Sequence, residues 1–314
     1  MTAFLTEMDG FIQDTSKPVF VLAATNYGVD PEKGRSLDAA LLRRFDRRIY
    51  VDLPNKDERR RYLEMKLKRN TAVSLSADQL ENIAVRSTGM SLAELESVFE
   101  MALRSAIRSE EGRIGDAEFE EAFETFNSGE KKEWSRDGLL RTARHEAGHA
   151  LVSWQSGDKP SYLTIVARAD HGGYMQHSGS EGKGSYTRGE LLSRIRTALA
   201  GRASEIVYYG SEEGISTGAS ADLYNATAIA EEMSCRYGMD TVVGMSYIDL
   251  SRASDATAKI VRDRVNSILS EELDRATRII EENKAAVDAL VKVLMDKNHL
   301  KEKEIDAILS DSVG

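Results

Sequence analysis

His145-Glu146-Ala147-Gly148-His149 lies in the middle of residues 136–155, which we predict to form one helix. In a helix the two histidines stand one turn apart on the same face, so both rings can reach one metal ion at about 2.0 to 2.1 Å. Glu146 lies beside the first histidine, where its carboxylate can accept a proton from a metal-bound water that attacks a carbonyl. The spacing therefore predicts a zinc site with Glu146 as the catalytic base.

The third zinc ligand is not specified by this local pattern. Catalytic zinc sites usually have three protein ligands and keep the fourth position open to water. Candidates are carboxylates or the other histidines His171, His177 and His299, and spacing alone does not choose among them. A solvated or packing role is the alternative for each of these histidines.

The chain on both sides of this helix divides into segments of different character. Residues 128–135 are polar and contain glycine, so we predict a linker there, followed by a domain over residues 136–314. Residues 161–185 are typical of a β-hairpin, and most of the later sequence is helical. A stripe with spacings of three and four residues marks one face of a long helix. Its members are Val261, Val265, Ile268, Leu269, Leu273, Ala276 and Ile280.

The first 127 residues predict two further segments. Residues 1–55 are α/β in pattern, with a continuous apolar run over 18–24 that suits a strand buried in a parallel sheet and a second short strand over 48–53. Residues 56–127 change to helical periodicity, and both Ser76 to Gln79 and Ser91 to Glu94 have the spacing of a capping box. We therefore expect an α/β segment followed by a small helical subdomain.

Composition excludes several classes of protein. Hydrophobic residues make up 41% and charged residues 30%, a balance typical of soluble globular chains, and the length of 314 residues predicts two or more domains. The net charge of −10 disfavours nucleic acid as a partner. The longest apolar run, residues 19–24, is too short to span a bilayer, and the single cysteine, Cys235, fits a reducing compartment. Cys235 as a nucleophile is a weaker interpretation than a buried structural cysteine.

Two motifs in the second half resemble the FtsH family of ATP-dependent zinc metalloproteases. The family's HEAGH helix matches residues 145–149, and its STGAS-x-D signature matches residues 216–222. The resemblance implies that Asp222 is the third zinc ligand, whereas without it an aspartate at a helix N-cap would be the simpler interpretation. Residues 201–205 resemble the family's GRAAE segment, so Glu205 is an alternative ligand, a carboxylate that supports a ligand, or a surface ion-pair residue.

The first half resembles the second half of an AAA+ ATPase domain followed by its helical lid. Residues 7–11 are similar to the family's EMDGF, and residues 23–26 are similar to sensor 1, which implies that Asn26 polarises the attacking water. Residues 41–47 resemble the arginine-finger segment, so Arg44 and Arg47, with Arg43 as the substitute, are expected to reach a neighbouring subunit's γ-phosphate. The family's Pro-Gly pair before this segment is missing, and residues 29–36 form an insertion, which leaves a solvated basic surface as the alternative.

No G-x-x-x-x-G-K-[ST] sequence occurs in the chain. We therefore expect the chain by itself not to bind or hydrolyse ATP with Mg²⁺, and we interpret it as a fragment or truncated form of the family's enzyme. The resemblance implies a homo-hexamer for the full-length form, at the cytoplasmic face of a membrane through an anchor outside this chain.

A strand next to the metal is the expected substrate site. The resemblance implies that the substrate adds as a strand at the sheet edge, and the matching segment here is Gly173, Tyr174, Met175 and Gln176. Edge addition binds substrate through main-chain hydrogen bonds and tolerates many sequences. A purely structural hairpin strand is the alternative.

These interpretations together predict a partial AAA+ α/β segment, a helical lid and a mainly helical zinc peptidase domain with a small hairpin or sheet. The predicted activity is that of a zinc metalloendopeptidase on unfolded or unfoldase-delivered proteins. The alternative is a catalytically silent subunit that acts as an interaction module in a ring, a hypothesis that the missing phosphate loop favours and the zinc motif disfavours.

Overall fold

The structure, a computed structural model, describes most of the chain. The described residues are 20–25, 39–69, 75–108, 114–128, 134–166, 173–177, 184–212 and 214–313. They belong to two compact units, residues 1–52 and residues 53–314. The predicted division of the second unit into a helical subdomain over 56–127, a linker over 128–135 and a domain over 136–314 stays a prediction.

In the first unit the described residues form one short helix, α1 (Ala39–Leu42), and no strand. The strands predicted over 18–24 and 48–53 are wrong where these segments are described, and Phe20 and Leu22 are 87% and 95% exposed. An apolar run becomes a buried strand only when neighbouring strands and covering helices are there to pack against it. The described residues of this unit provide no such sheet.

Four helices begin the second unit: α2 (Lys56–Arg69), α3 (Ala77–Arg86), α4 (Leu92–Arg108) and α5 (Asp116–Ser128). Ser76 forms the predicted capping box with Gln79 at the start of α3, and Ser91 and Glu94 bond in the same way at the start of α4. The helices share an apolar core of their own. The predicted helical character of this segment is confirmed.

The central part of the unit consists of two long helices and a small sheet. Its elements are α6 (Arg136–Gln155), β1 (Pro160–Thr164), β2 (Tyr174–His177) and α7 (Arg188–Tyr209). The predicted helix and hairpin are confirmed, since β1 and β2 pair antiparallel with Leu163 opposite Met175. A third strand, β3 (His299–Lys301), pairs antiparallel with the other side of β1, so β2 lies at one edge of the described sheet.

The remaining elements cover α6 and α7. They are a 3₁₀ turn (Thr217–Ala219), α8 (Ser220–Cys235), α9 (Asp255–Glu282), α10 (Lys284–Lys297) and α11 (Glu302–Ser312). The predicted apolar stripe lies on α9, where Val261, Val265 and Ile268 pack against α7 and α8 while Ile280 joins a second core around α6 and α10. None of the helices in the described part of the chain combines the length and the apolar character that a membrane crossing demands.

Candidate metal centre

Helix α6 presents His145, Glu146 and His149 on its buried side. These three residues are 7%, 7% and 6% exposed. Ser135 begins the helix by accepting a hydrogen bond from the Gly138 amide. Small residues allow α7 to lie close, because a Cβ on Gly148 would stand 2.8 Å from the Ala200 carbonyl oxygen. The helix pair therefore holds the two imidazoles at a fixed position inside the protein.

The Asp222 carboxylate meets both imidazoles. Its Oδ2 atom lies 3.1 Å from His145 Nε2 and 3.4 Å from His149 Nε2. One ligand atom from each of these three residues lies within 4.8 Å of the other two, so the group could hold a metal ion. Asp222 sits in the first turn of α8, whose N-cap is Ala219, so the interpretation of Asp222 as a helix N-cap is wrong.

The outward nitrogen of each histidine is held by α7. His145 Nδ1 lies 3.2 Å from Glu205 Oε1, and His149 Nδ1 lies 2.7 Å from the Thr197 carbonyl oxygen. Glu205 in turn accepts hydrogen bonds from the Ser216 amide and hydroxyl at 2.9 and 2.5 Å. An Nδ1–H that is bonded outward leaves Nε2 as the donor atom for a metal, and these contacts hold the orientation of both rings.

Gly201 preserves the space between the two imidazoles. A Cβ at this position would lie 2.2 Å from His145 Nε2 and 2.5 Å from His149 Nε2. The residues present fit a zinc ion, because two imidazoles and one carboxylate are a usual donor set for catalytic zinc and the cavity is open only while residue 201 lacks a side chain. No other cluster of three such donors is found among the described residues.

The ionisable groups of the centre shift one another's pKa values. Burial alone would lower the pKa of His145, but hydrogen bonds to Asp222 and Glu205 raise that pKa to about 10. The same bonds act in reverse on the acids: burial would raise their pKa values, yet the pKa of Glu205 falls to about 2 and that of Asp222 falls well below its ordinary value. The carboxylates thus remain ionised and ready to balance a cation.

Glu146 differs from these two acids. Burial is the largest influence and raises the pKa of its carboxyl, while the two histidines act in the opposite direction. A carboxylate whose pKa is raised is a stronger proton acceptor than an ordinary one, which is the property that general base catalysis requires.

The other predicted histidines do not join the centre where they are described. His177 Nδ1 lies 3.1 Å from Asp158 Oδ2, and the His299 ring stacks on Tyr162 with a centroid separation of 5.7 Å. His171 lies outside the described residues. The structure gives both described histidines the packing and solvated roles that the sequence left open.

The predicted substrate strand begins next to Glu146. A Cβ on Gly173 would lie 3.2 Å from Glu146 Cγ, and β2 starts at the following residue, Tyr174. Tyr174 and Gln176 both bond to Arg86 of α3, whereas Met175 packs against the apolar core.

The predicted nucleotide-sensing residues lie in the first unit. Arg44 is half-buried and donates to the Ala40 carbonyl at 2.9 Å, and Arg43 and Arg47 are exposed. Asn26 lies outside the described residues. Their predicted roles toward ATP stay predictions.

Thr197, Ser216 and Gly201 belong to the candidate centre, and the sequence analysis gave them no specific role. Thr197 contributes its backbone carbonyl. Because every residue has this group, the residue type does not reveal the role. Its position could have been found only from spacing, because Thr197, Gly201 and Glu205 are four residues apart and share one face of α7.

The comparisons with known proteins agree on one family. The family model described as peptidase family M41 matches residues 135–308. The chain is 36% identical over 97% of its length to ATP-dependent zinc metalloprotease FtsH 3 of Sphaerobacter thermophilus, covering 61% of that protein. It is 34% identical over 98% of its length to ATP-dependent zinc metalloprotease FtsH of Mycoplasma genitalium, covering 45%. A protein of the same name from Nitrosococcus oceani is 33% identical over 99% of this chain, and the chain covers 50% of that relative.

Proposed function

The chain belongs to peptidase family M41, and from this premise we propose that it is the proteolytic part of an ATP-dependent zinc metalloendopeptidase that degrades unfolded or unfoldase-delivered proteins. The convergence of His145, His149 and Asp222 beside Glu146 is the observation that carries the proposal. The homohexamer, the membrane anchor and the delivery of substrate by ATP hydrolysis belong to the same proposal, since the chain spans only part of its relatives.

Zinc held by His145, His149 and Asp222 would supply a Lewis acid for attack of water on a peptide carbonyl. Glu205 and Thr197 keep the two rings aligned for that ligation. The Glu146 carboxylate takes the proton of the attacking water and returns it to the amine of the leaving product, so this side chain ends the reaction in its starting state. Burial of Glu146 excludes bulk solvent from this proton transfer.

The substrate is an extended polypeptide that adds to β2. Tyr174, Met175 and Gln176 lie in the edge strand of the described sheet, and Gly173 directly precedes that strand and adjoins Glu146. Main-chain hydrogen bonds to this edge would place a peptide carbonyl near the metal ligands without demanding a particular sequence. A protease of unfolded chains needs this tolerance.

In the first unit we assign Asn26 to the polarisation of water at ATP, and Arg44 and Arg47 to contacts with a neighbouring subunit's γ-phosphate, with Arg43 as the substitute. ATP and Mg²⁺ act only through the complete enzyme. The hypothesis of a silent interaction module is not favoured, because such a subunit has no need for three converging donors and a buried carboxylate beside them.

The test compares the wild type with Glu146→Gln, with zinc content and casein cleavage as readouts. Glu146 is not among the ligands, so the variant should keep its zinc and lose about 10²- to 10⁴-fold in cleavage rate. Glu281→Gln, an exposed change on α9, is the matched control and should behave as the wild type. Equal cleavage by folded, zinc-loaded wild type and Glu146→Gln would contradict the proposal.

A further inference from the structure

A buried arginine joins the helical subdomain (residues 56–127) to the edge strand β2. Arg86 is the last residue of α3 and is 5% exposed. Its Nη2 donates to Glu124 at 2.6 Å, and its Nε lies 3.4 Å from Glu120 Oε2. Both carboxylates belong to α5, so the guanidinium is anchored within the subdomain.

The same guanidinium reaches the strand. Nη1 donates to Gln176 Oε1 at 2.5 Å, Nη2 bonds the Tyr174 hydroxyl, and the Gln176 amide donates back to the Arg86 carbonyl at 3.0 Å. The charged group also stacks on Tyr162 of β1, 3.6 Å from the ring centroid. Tyr174 and Gln176 are two residues apart and therefore share one face of β2. Arg86 thus holds both side chains of that face.

The contacts suit positioning better than simple stabilisation. A buried ion pair is weak support for stability, because removing two charges from water costs as much as their attraction returns. The planar guanidinium, in contrast, offers five donors in a fixed fork, which sets the relative geometry of the groups that it bonds. Tyr174 follows Gly173, whose position adjoins Glu146, so the residues that Arg86 bonds lie on the strand that begins beside the metal centre.

We infer that Arg86 is a positioning residue through which the helical subdomain sets the position of β2 and so regulates capture of the substrate strand. The inference rests on the proposed function, since it assigns a controlling contact to the same substrate edge.

The first test does not require activity. Hydrogen exchange of residues 173–177 is measured by mass spectrometry in the zinc-loaded wild type and in Arg86→Lys, which keeps the charge and loses the fork. Amide hydrogen exchange in β2 should be at least about tenfold faster in the variant. Exchange in α7 and the zinc content should stay unchanged. Arg104→Lys is the matched control, because Arg104 lies in the same subdomain, is exposed and pairs only along α4 with Glu100 in the contacts described.

The second test measures cleavage of casein by the zinc-loaded chain carrying the same changes. Arg86→Lys should raise KM about threefold or more with kcat within about twofold, since capture is weakened and chemistry is intact. Arg86→Gln should raise KM more than Arg86→Lys does, provided that the Arg86→Gln protein folds. If it does not fold, the result for Arg86→Lys decides the test. Unchanged exchange in β2, or faster exchange with unchanged KM, would overturn the inference. The exchange result stands even if Glu146→Gln shows that the proposed activity is wrong.

Discussion

His145 and His149 each use one ring nitrogen to face the centre and the other to hold their orientation. The sequence predicted the inward pair, because a spacing of four in a helix is a local property. The outward partners, Glu205 and the Thr197 carbonyl, depend on the contact of α7 with α6. Of these, Glu205 was named as a candidate through resemblance, and Thr197 was not named.

Gly201→Ala should abolish zinc binding with little change in the fold. The added methyl group would occupy the space between the two Nε2 atoms, at 2.2 and 2.5 Å from them. The bound zinc per chain, measured by atomic absorption, should fall from about one to about zero. Gly189→Ala on the same helix meets nothing within 4 Å and should keep the metal. Full zinc occupancy in Gly201→Ala would show that the ion binds elsewhere.

Glu205→Gln should weaken zinc binding about 10- to 100-fold, because the neutral amide supports the imidazole less strongly than the carboxylate does. The carboxylate bonds His145 Nδ1 and is itself held by Ser216. Competition with a chelator of known affinity measures the change. If Glu205 were instead a ligand in place of Asp222, Asp222→Asn would leave zinc affinity unchanged, and that result would reverse the assignment of the two acids.

Helix α7 is the element that organises the centre, because one of its faces carries Thr197, Gly201 and Glu205 at intervals of four residues. Helix α8 supplies Asp222 in its first turn after the Gly218-containing turn. The sequence predicted the α6 helix with the bounds that the structure gives it, whereas for the later chain it predicted helical character without bounds for α7. It failed for the strands of the first unit, because an isolated apolar run does not reveal whether neighbouring strands will pair with it.

Asp240 connects the end of α8 to α9. Its carboxylate bonds Arg264 Nε at 2.7 Å and the amides of Val242 and Val243. Burial would raise the pKa of Asp240, but these bonds lower it below its ordinary value of 3.8. A lowered folded-state pKa stabilises the fold above about pH 4, and this stabilisation is lost as pH falls through the folded-state pKa.

Asp240→Asn should therefore lower the free energy of unfolding by about 1 to 3 kcal/mol at pH 7, since Arg264 loses a charged partner. The difference from the wild type should shrink below about pH 4. Urea unfolding at pH 7 and pH 3.5 measures both values. Asp263→Asn, an exposed change beside Arg264, should remain within about 0.5 kcal/mol of the wild type. A difference that is constant with pH would exclude the ionised Asp240 as its cause.

At the scale of the whole molecule, the three apolar cores found among the described residues and all the candidate metal ligands belong to residues 53–314. The described residues of the first unit expose large apolar side chains, among them Phe20 and Leu22. Cores of this kind are the main source of folding free energy, so the second unit has what it needs to fold by itself.

A fragment of residues 53–314 should consequently fold and bind zinc as the whole chain does. Its far-ultraviolet circular dichroism per residue should indicate at least as much helix as that of the whole chain. Zinc should raise its melting temperature, because zinc binds the folded state. A fragment of residues 135–314, which lacks Arg86 and α5, serves as the comparison. Failure of the 53–314 fragment to fold would mean that residues 1–52 contribute to its core.

The sequence by itself determined the helical periodicity, the capping boxes, the hairpin and the two imidazoles of α6, because each depends on residues within a few positions of one another. Only the tertiary structure brought Asp222 to His145 across 77 positions and Glu205 across 60. It also placed Arg86 against the edge strand, 90 positions from Gln176. The physical reason is that local spacing fixes which face of a helix a side chain occupies, whereas the packing of helices against one another fixes what that face meets.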